Sequence, residues 1–498
     1  MSLNDKTDLI LQRVRFYQID LLDSFPKRKN AILQLVEALA CAERASSPVE
    51  LSLTPAFQRT YSDISNAIDA MTPRSGTDTQ PTPNASFNQT KKKKTSPTLL
   101  SFLDQTRKWT CIFSKLLPKE THRPFKLYAI DATSNPKPHA KTLDDRCFVH
   151  CATQVGTPVT IGLQASVLVA IPEKMENEAS WTLPLSVERI SSIETPCEVA
   201  ERQLKELTRV SQTGSLCVIT ADSGYTSLKP QTSDQVIIAR SRIDRTGRRL
   251  YVNKDEGQSK KGRPRMYEEN IIRFSENIPQ GEERGPDEEI DFESMYNGKE
   301  VNVFISRWKN ISVSGHSELV DIVKVEIFLK SDSSIMLFEH PMLLQVTGAR
   351  RNELTSQHIY ESYLARFKIE HFFRFQKQQL LFCKYQTADL QRQINWWWIC
   401  FMSYWLLYLV RGIAPDLSRP WMPKRCQSRT ASPGEVKRVF GSHIFPRIGS
   451  PSEKPLSRGI SSGRKKGTVL PKRERKKPIK KSNKSQKEPC KSLNERAA

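Results

Sequence analysis

The chain has 498 residues, room for roughly two to four domains of ordinary size. Hydrophobic residues make up 38% and charged residues 26%, which excludes collagen-like, wholly disordered and disulfide-scaffold classes. The formal net charge of +23 asks for a polyanionic partner, either nucleic acid or an anionic membrane surface, and composition does not choose between them.

Residues 1 to about 71 read as helical, with Ile32, Leu33, Leu35, Val36 and Leu39 at helical spacing. Asp5, Lys6 and Asp8 interrupt any apolar leader. A Pro/Ser/Thr/Asn-rich stretch running into Lys91–Lys94 predicts a linker over about 72–98, and a further helix is expected over about 99–117. From Lys126 the pattern turns β-rich: FKLYAID (125–131), RCFVHCATQVG (146–156) and VTIGLQASVLVAI (159–171). A helix over 196–207 then precedes strands SLCVITAD (215–222) and QVIIARSR (235–242). This order predicts an α/β sheet that starts with a hairpin. Ten Cys without a repeating spacing point to reduced thiols in a cytosolic setting. Their one cluster, Cys147 and Cys151 with His150 and His139, lacks a second close pair and reads as strand rather than zinc site.

A polar region over 243–300 ends in an acidic run from Glu282 to Glu293, read as a mobile surface loop. Strands resume at 301–306, 323–330 and 335–340, and two long helices are expected over about 354–383 and 389–412. Ile394–Val410 holds 17 residues without a charge, four of them Trp. Asn395 and Ser403 interrupt it and its Trp residues are not confined to the ends, so a buried core helix is expected rather than a membrane span. From about Pro415 disorder is expected. Residues 451–498 carry 16 Lys or Arg against 4 Asp or Glu, so +12 of the +23 belongs to this tail.

Chemistry concentrates in YLARFKIEHFFRFQK (363–377). On a continuous helix Tyr363, Arg366, Glu370, Arg374 and Lys377 fall within a sector of about 80°, opposite an apolar face that includes Ile369, Phe372 and Leu380. One acid among three cations and a phenol suits a metal held beside a phosphodiester. The plain alternative is a solvated face with i,i+4 pairs such as Glu370–Arg374. Asp131 ends the strand KLYAI and Asp222 ends LCVITA, and acids at carboxyl ends of strands lie where α/β proteins build sites. Lone strand-end Asp residues also cap turns. Three clustered carboxylates repel unless a cation neutralises them, and oxygen ligands suit Mg²⁺ or Mn²⁺.

The spacing of Tyr363, Arg366, Glu370 and Lys377 resembles the Tyr–Arg–Glu–Lys signature of one group of bacterial insertion-sequence transposases, which are DDE transposases with an RNase H-like catalytic domain. IDATSNPKPHAKTLDDR around Asp131 and ITADSGYTS around Asp222 resemble that family's first two acidic motifs, and the likeness covers about 125–412. It implies an α/β fold with an RNase H-like mixed sheet, flanking helices, a β-rich insertion before the last acid and a helical N-terminal region. The domains implied are 1–124, with possible DNA-end binding; 125–242, the first part of the catalytic domain; an insertion over 243–353; 354–414, the catalytic and core helices; and a basic, disordered tail over 415–498. It further implies that Asp131, Asp222 and Glu370 are catalytic and hold two Mg²⁺ or Mn²⁺ ions. Tyr363, Arg366 and Lys377 would grip phosphates, with Arg374 on the same face ranked lower. Trp308, the only Trp in the 148-position gap between Asp222 and Glu370, would stack on a flipped base, against the plain reading of a buried core residue.

The activity implied is cleavage of element ends and joining of 3′-hydroxyls to target DNA. The setting would be cytoplasmic and nucleoid-associated, with double-stranded DNA as partner, a homodimer on DNA and no membrane. A catalytically silent DNA-binding derivative is the alternative, and a peripheral membrane protein with a polybasic tail is a third reading. Gly-Arg-Pro at 262–264 matches the core of a minor-groove hook, but three residues are a weak match and a polar loop near the catalytic rim is the plainer reading. Gly459–Lys481 suits nonspecific phosphate contact or a solubilising tail.

Overall fold

The apolar positions at helical spacing in the first 71 residues form α1 (Leu3–Ser24), α2 (Lys29–Cys41) and α3 (Tyr61–Asp69), followed by α4 (Pro97–Lys115). The computed structural model describes residues 3–72, 97–151, 158–175, 178–211, 214–251, 266–417, 421, 429–445 and 474–480. The expected linker, the Gly-Arg-Pro segment and most of the basic tail lie outside these residues.

The sheet begins with β1 (Lys126–Pro136), β2 (Cys147–His150), β3 (Val159–Ala170) and β4 (Leu183–Ile190). Next comes α5 (Pro196–Val210), opened by a capping box between Thr195 and Glu198 with Pro196 in the first turn. β5 (Cys217–Ala221) pairs parallel with β1, and β6 (Gln235–Arg240) pairs parallel with β5. The insertion supplies β7 (Thr246–Arg248), β8 (Ile272–Arg273), β9 (Glu288–Tyr296), β10 (Lys299–Val313), β11 (Val320–Leu329), β12 (Asp332–Met336) and β13 (Met342–Thr347). These strands do not form a sheet of their own. β13 pairs antiparallel with β6, so the described residues make one 13-stranded mixed sheet ordered β2-β3-β1-β5-β6-β13-β11-β10-β7-β8, with β4, β9 and β12 as side branches. This is the RNase H-like mixed sheet with flanking helices, extended by the β-rich insertion.

The acidic run is corrected by this topology. Glu288–Glu293 is not a mobile loop but part of β9, which pairs with β10. Ile290, Phe292 and Tyr296 pack towards the core while Glu289, Asp291 and Glu293 alternate outward. Charge on an edge strand opposes pairing with another chain, which is a physical use for these acids that needs no DNA.

Beyond the sheet come α6 (Ser356–Arg366), α7 (Lys368–Gln379) and α8 (Leu390–Leu409). The apolar run lies on α8, and Trp396, Trp397, Trp398 and Trp405 are fully buried. Its two polar interruptions bind main-chain carbonyls of the N-terminal helices: Asn395 Nδ2 donates to Ile68 O at 2.7 Å and Ser403 Oγ to Val36 O at 2.9 Å. Tyr17 on α1 donates to Met402 O at 2.8 Å. The N-terminal helices and the sheet therefore share one core, with no core boundary near residue 125. No helix among the described residues is long and apolar enough to cross a membrane.

The stretch from Pro415, expected to lack structure, contains α9 (Pro433–Val439). Ser432 and Glu435 cap it, and Val436, Val439 and Phe440 join the main core. Lys437, buried, reaches the Leu39 and Ala40 carbonyls at the C-terminal end of α2, where the helix dipole favours a cation. A proline-rich, basic composition concealed this one amphipathic turn.

Candidate functional site

Strand pairing alone assembles half of the site. β1 and β5 align Ile130 with Ala221, and β5 and β6 align Ala221 with Ala239. The next row across three adjacent strands is therefore Asp131, Asp222 and Arg240. β1 does not end at Asp131, as expected, but continues to Pro136 against β3. Its other neighbour, β5, is the strand that stops, at Ala221. The opening so made is the crevice at the carboxyl ends of parallel strands. Asp222 Oδ1 accepts from the Ser223 N–H at 2.7 Å, capping a short 3₁₀ turn, and Asp131 Oδ1 accepts from the Ala132 N–H at 2.7 Å.

The third acid arrives on a helix that is broken rather than continuous. At Phe367 the N–H donates to Leu364 O, and the Glu370 N–H donates to Phe367 O, the three-residue spacing of a tighter turn. Tyr363 and Arg366 close α6, while Glu370, Arg374 and Lys377 ride on α7. Ile369, Phe372 and Leu380 are buried, so the apolar face survives the break.

Arg366 is the hub. Its Nη1 lies 3.5 Å from Asp131 Oδ2, its Nη2 lies 3.4 Å from Glu370 Oε1, and its guanidinium stands 5.6 Å from the centre of the Tyr363 ring. Burial pushes the Asp131 carboxyl up to about 6; the Ala132 N–H and Arg366 hold it down, while the charges of Asp222 and Glu370 push it further up. Burial also raises the Tyr363 phenol, with Arg366 and Arg240 acting against it and Asp222 with it. Burial disfavours the Arg366 cation, yet Tyr363, Asp131, Asp222 and Glu370 together raise it above its ordinary value. The Tyr225 hydroxyl is buried and feels both Asp131 and Asp222.

Among the described residues, no three His, Cys, Asp or Glu side chains converge as a ready-made metal cage, and the Arg366 guanidinium stands between Asp131 and Glu370. The donor set fits a hard divalent ion all the same. It is all oxygen, and Asp131 carries a repulsion from its two fellow acids that a cation relieves.

Of the other residues singled out by sequence, Arg374 is exposed on α7 and Lys377 is half-buried. Trp308 is not at the site. It is 1% exposed, its ring meets Phe274 edge-on at 5.2 Å, and its Nε1 donates to Arg284 O at 3.0 Å. It anchors a small second core in the insertion with Ile272, Ile311 and Ile322, and base stacking would require that core to open. Two residues were missed. Arg240 is exposed at the rim beside Asp222, and Phe367, at the helix break, is 52% exposed and edge-on to His371. The signal for Arg240 was present: KLYAI-Asp, CVITA-Asp and VIIA-Arg are three apolar runs each closed by a charge.

Residues 183–406 match the family model described as the transposase DDE domain. The chain carries a transposase DDE domain. No curated protein matches the chain. The matched span includes Asp222, Arg240 and everything from Tyr363 to Lys377; Asp131 lies N-terminal to it and joins the site through the β1–β5 pairing. A transposase of this kind is a DNA-cutting and DNA-joining enzyme.

Proposed function

We propose that this transposase binds the ends of a mobile DNA element, cuts them by metal-dependent hydrolysis of a phosphodiester, and joins the freed 3′-hydroxyls to target DNA. The observation that supports this reading best is the pairing of Asp131 and Asp222 in one row of adjacent parallel strands, faced by Glu370 across Arg366. Asp131, Asp222 and Glu370 would hold two Mg²⁺ or Mn²⁺ ions, which supply charge neutralisation and activation of the attacking oxygen in phosphoryl transfer.

The remaining work falls to the chain's own side chains. Arg366 neutralises Asp131 and Glu370 and keeps its positive charge in the crevice. Its planar fork suits phosphate as well as carboxylate, so it can trade one for the other when DNA enters. Tyr363 lies against the guanidinium and limits its swing. Arg240, Arg374 and Lys377 extend the cationic rim along the path of the backbone, as the Tyr–Arg–Glu–Lys subgroup reading requires. Bringing two element ends together calls for a homodimer on DNA.

The test is a plasmid carrying this reading frame's own flanking sequences, incubated with the full chain and Mg²⁺. Nicks at both flanks followed by joined products are expected. Tight, flank-specific binding with no cut strand in either Mg²⁺ or Mn²⁺ would overturn the reading in favour of a silent derivative.

A further inference from the structure

Residues 474–480 (ERKKPIK) of the basic tail lie against the sheet. Ile479 forms a parallel bridge with Cys147 of β2, and its N–H donates to Arg146 O at 2.7 Å. The Lys476 N–H donates to Lys141 O at 2.9 Å, and Arg146 Nη2 donates to Lys476 O at 2.8 Å. β2 is the terminal strand of the sheet, and its unpaired N–H and C=O groups accept an added strand whatever its side chains. Because the tail contributes main-chain atoms to all three bonds, its charged side chains are not consumed in docking. Arg475, Lys477 and Lys480 are exposed. Lys476 is the exception, lying 3.0 Å from Glu474 and 4.0 Å from Asp144, the two acids beside it.

The docked segment sits at the same end of the sheet as the acids. Cys147 pairs with Gly162, and Gly162 pairs with Pro136 of β1, five positions beyond Asp131. With strands about 4.8 Å apart and about 3.3 Å per residue, Ile479 lies about 22 Å from Asp131. A duplex rising about 3.4 Å per base pair spans that distance in about six base pairs. Between the two, the Cys383 Sγ donates to Ser134 O of β1 at 3.7 Å, which brings the exposed Lys384 beside this stretch of the sheet.

We propose that residues 474–480 form a basic strap, docked on β2 through its backbone, that grips the phosphate backbone of duplex DNA about six base pairs from the cleaved bond. The inference rests on the reading of the chain as a DNA-cutting enzyme. The strap contacts no base edges, so its contribution is independent of sequence and sensitive to salt.

The test uses the full chain and a random-sequence duplex of about 30 base pairs, with affinity measured across a range of salt concentrations. Replacing Arg475→Gln, Lys477→Gln and Lys480→Gln together should flatten the slope of log affinity against log salt by about 2.7, at about 0.9 per lost phosphate contact. Ile479→Pro keeps every charge but removes the N–H that binds Arg146 O, and should weaken binding in the same direction. An unchanged slope in the triple variant would overturn the strap. A flattened slope there with no effect of Ile479→Pro would overturn the docked geometry. Cleavage of the flanking ends is scored separately. A wild type that cuts with a slope indifferent to the strap refutes the strap alone, and one with a strap-dependent slope that never cuts refutes the catalytic reading alone.

Discussion

Asp321 should be the most sensitive single residue of the insertion. It is fully buried on β11 and accepts from Arg307 Nε at 3.1 Å, Arg307 Nη2 at 2.6 Å, Arg351 Nε at 2.9 Å and the Asn310 N–H at 3.1 Å. Arg307, 2% exposed, also donates to Leu354 O at 2.7 Å and Arg351 O at 3.1 Å, in the turn that leads into α6. The knot thus ties the insertion to the helix that carries Tyr363 and Arg366. Asp321→Ala takes the counter-ion from both Arg307 and Arg351, and leaving the fully buried Arg307 guanidinium uncompensated costs about 3–5 kcal/mol. It also strips the Asn310 N–H, which sits at φ +56, of its acceptor, adding about 1 kcal/mol. A total loss of about 4–6 kcal/mol would consume much of an ordinary domain's stability. Asp321→Asn keeps the shape and one good acceptor and should cost about half as much. Urea unfolding followed by tryptophan fluorescence reads the loss, since Trp308 shares the insertion core. An Asp321→Ala midpoint within error of the wild type would refute the claim that this knot holds the insertion to the catalytic helix.

Other outcomes follow from the same geometry. Arg240→Gln removes an exposed cation beside Asp222, so melting should be unchanged while affinity for a pre-cut end duplex falls about tenfold to a hundredfold, the worth of one charge-assisted bond. Trp308→Ala should destabilise the chain by about 3–5 kcal/mol, and a base-analogue fluorescence signal on DNA should persist in the folded variant. Burial lowers both Lys437 and Lys137 to about 7. Between about pH 7 and the ordinary lysine value near 10.4, the unfolded chain holds protons the folded chain has released, so these two groups make stability rise with pH. The rise in Tm from about pH 7 to about pH 9 should therefore be smaller in Lys437→Met than in the wild type, and an equal rise would show that the group titrates normally.

The sheet core and the two strand-borne acids, Asp131 and Asp222, were legible because apolar runs closed by a charge are visible at short range. The signature helix was legible through its spacing, although the break at Phe367 was not, since nothing in RFK forbids a continuous helix. What escaped was long-range pairing. β4 and β13 were overlooked because LPLSVERI and MLLQVT carry weak alternation, and their strand character comes from partners β3 and β6. The fusion of the N-terminal helices with the catalytic core rests on Asn395 and Ser403, whose partners are more than 300 residues away in the chain. The acidic run misled because its charge outweighed its period-two alternation. Trp308 was placed by its isolation in sequence, whereas its burial depends on Phe274 and Arg284 closing over it.

The central claim is that Asp131, Asp222 and Glu370 form one DNA-cutting centre. The most direct measurement compares strand nicking at the element's own ends, in Mg²⁺, by the wild type and by Asp131→Asn, Asp222→Asn and Glu370→Gln. Each substitution is nearly isosteric and removes one negative charge. The account predicts nicking at background level in all three variants, with folding and duplex binding retained. Nicking at the wild-type rate in all three would contradict it.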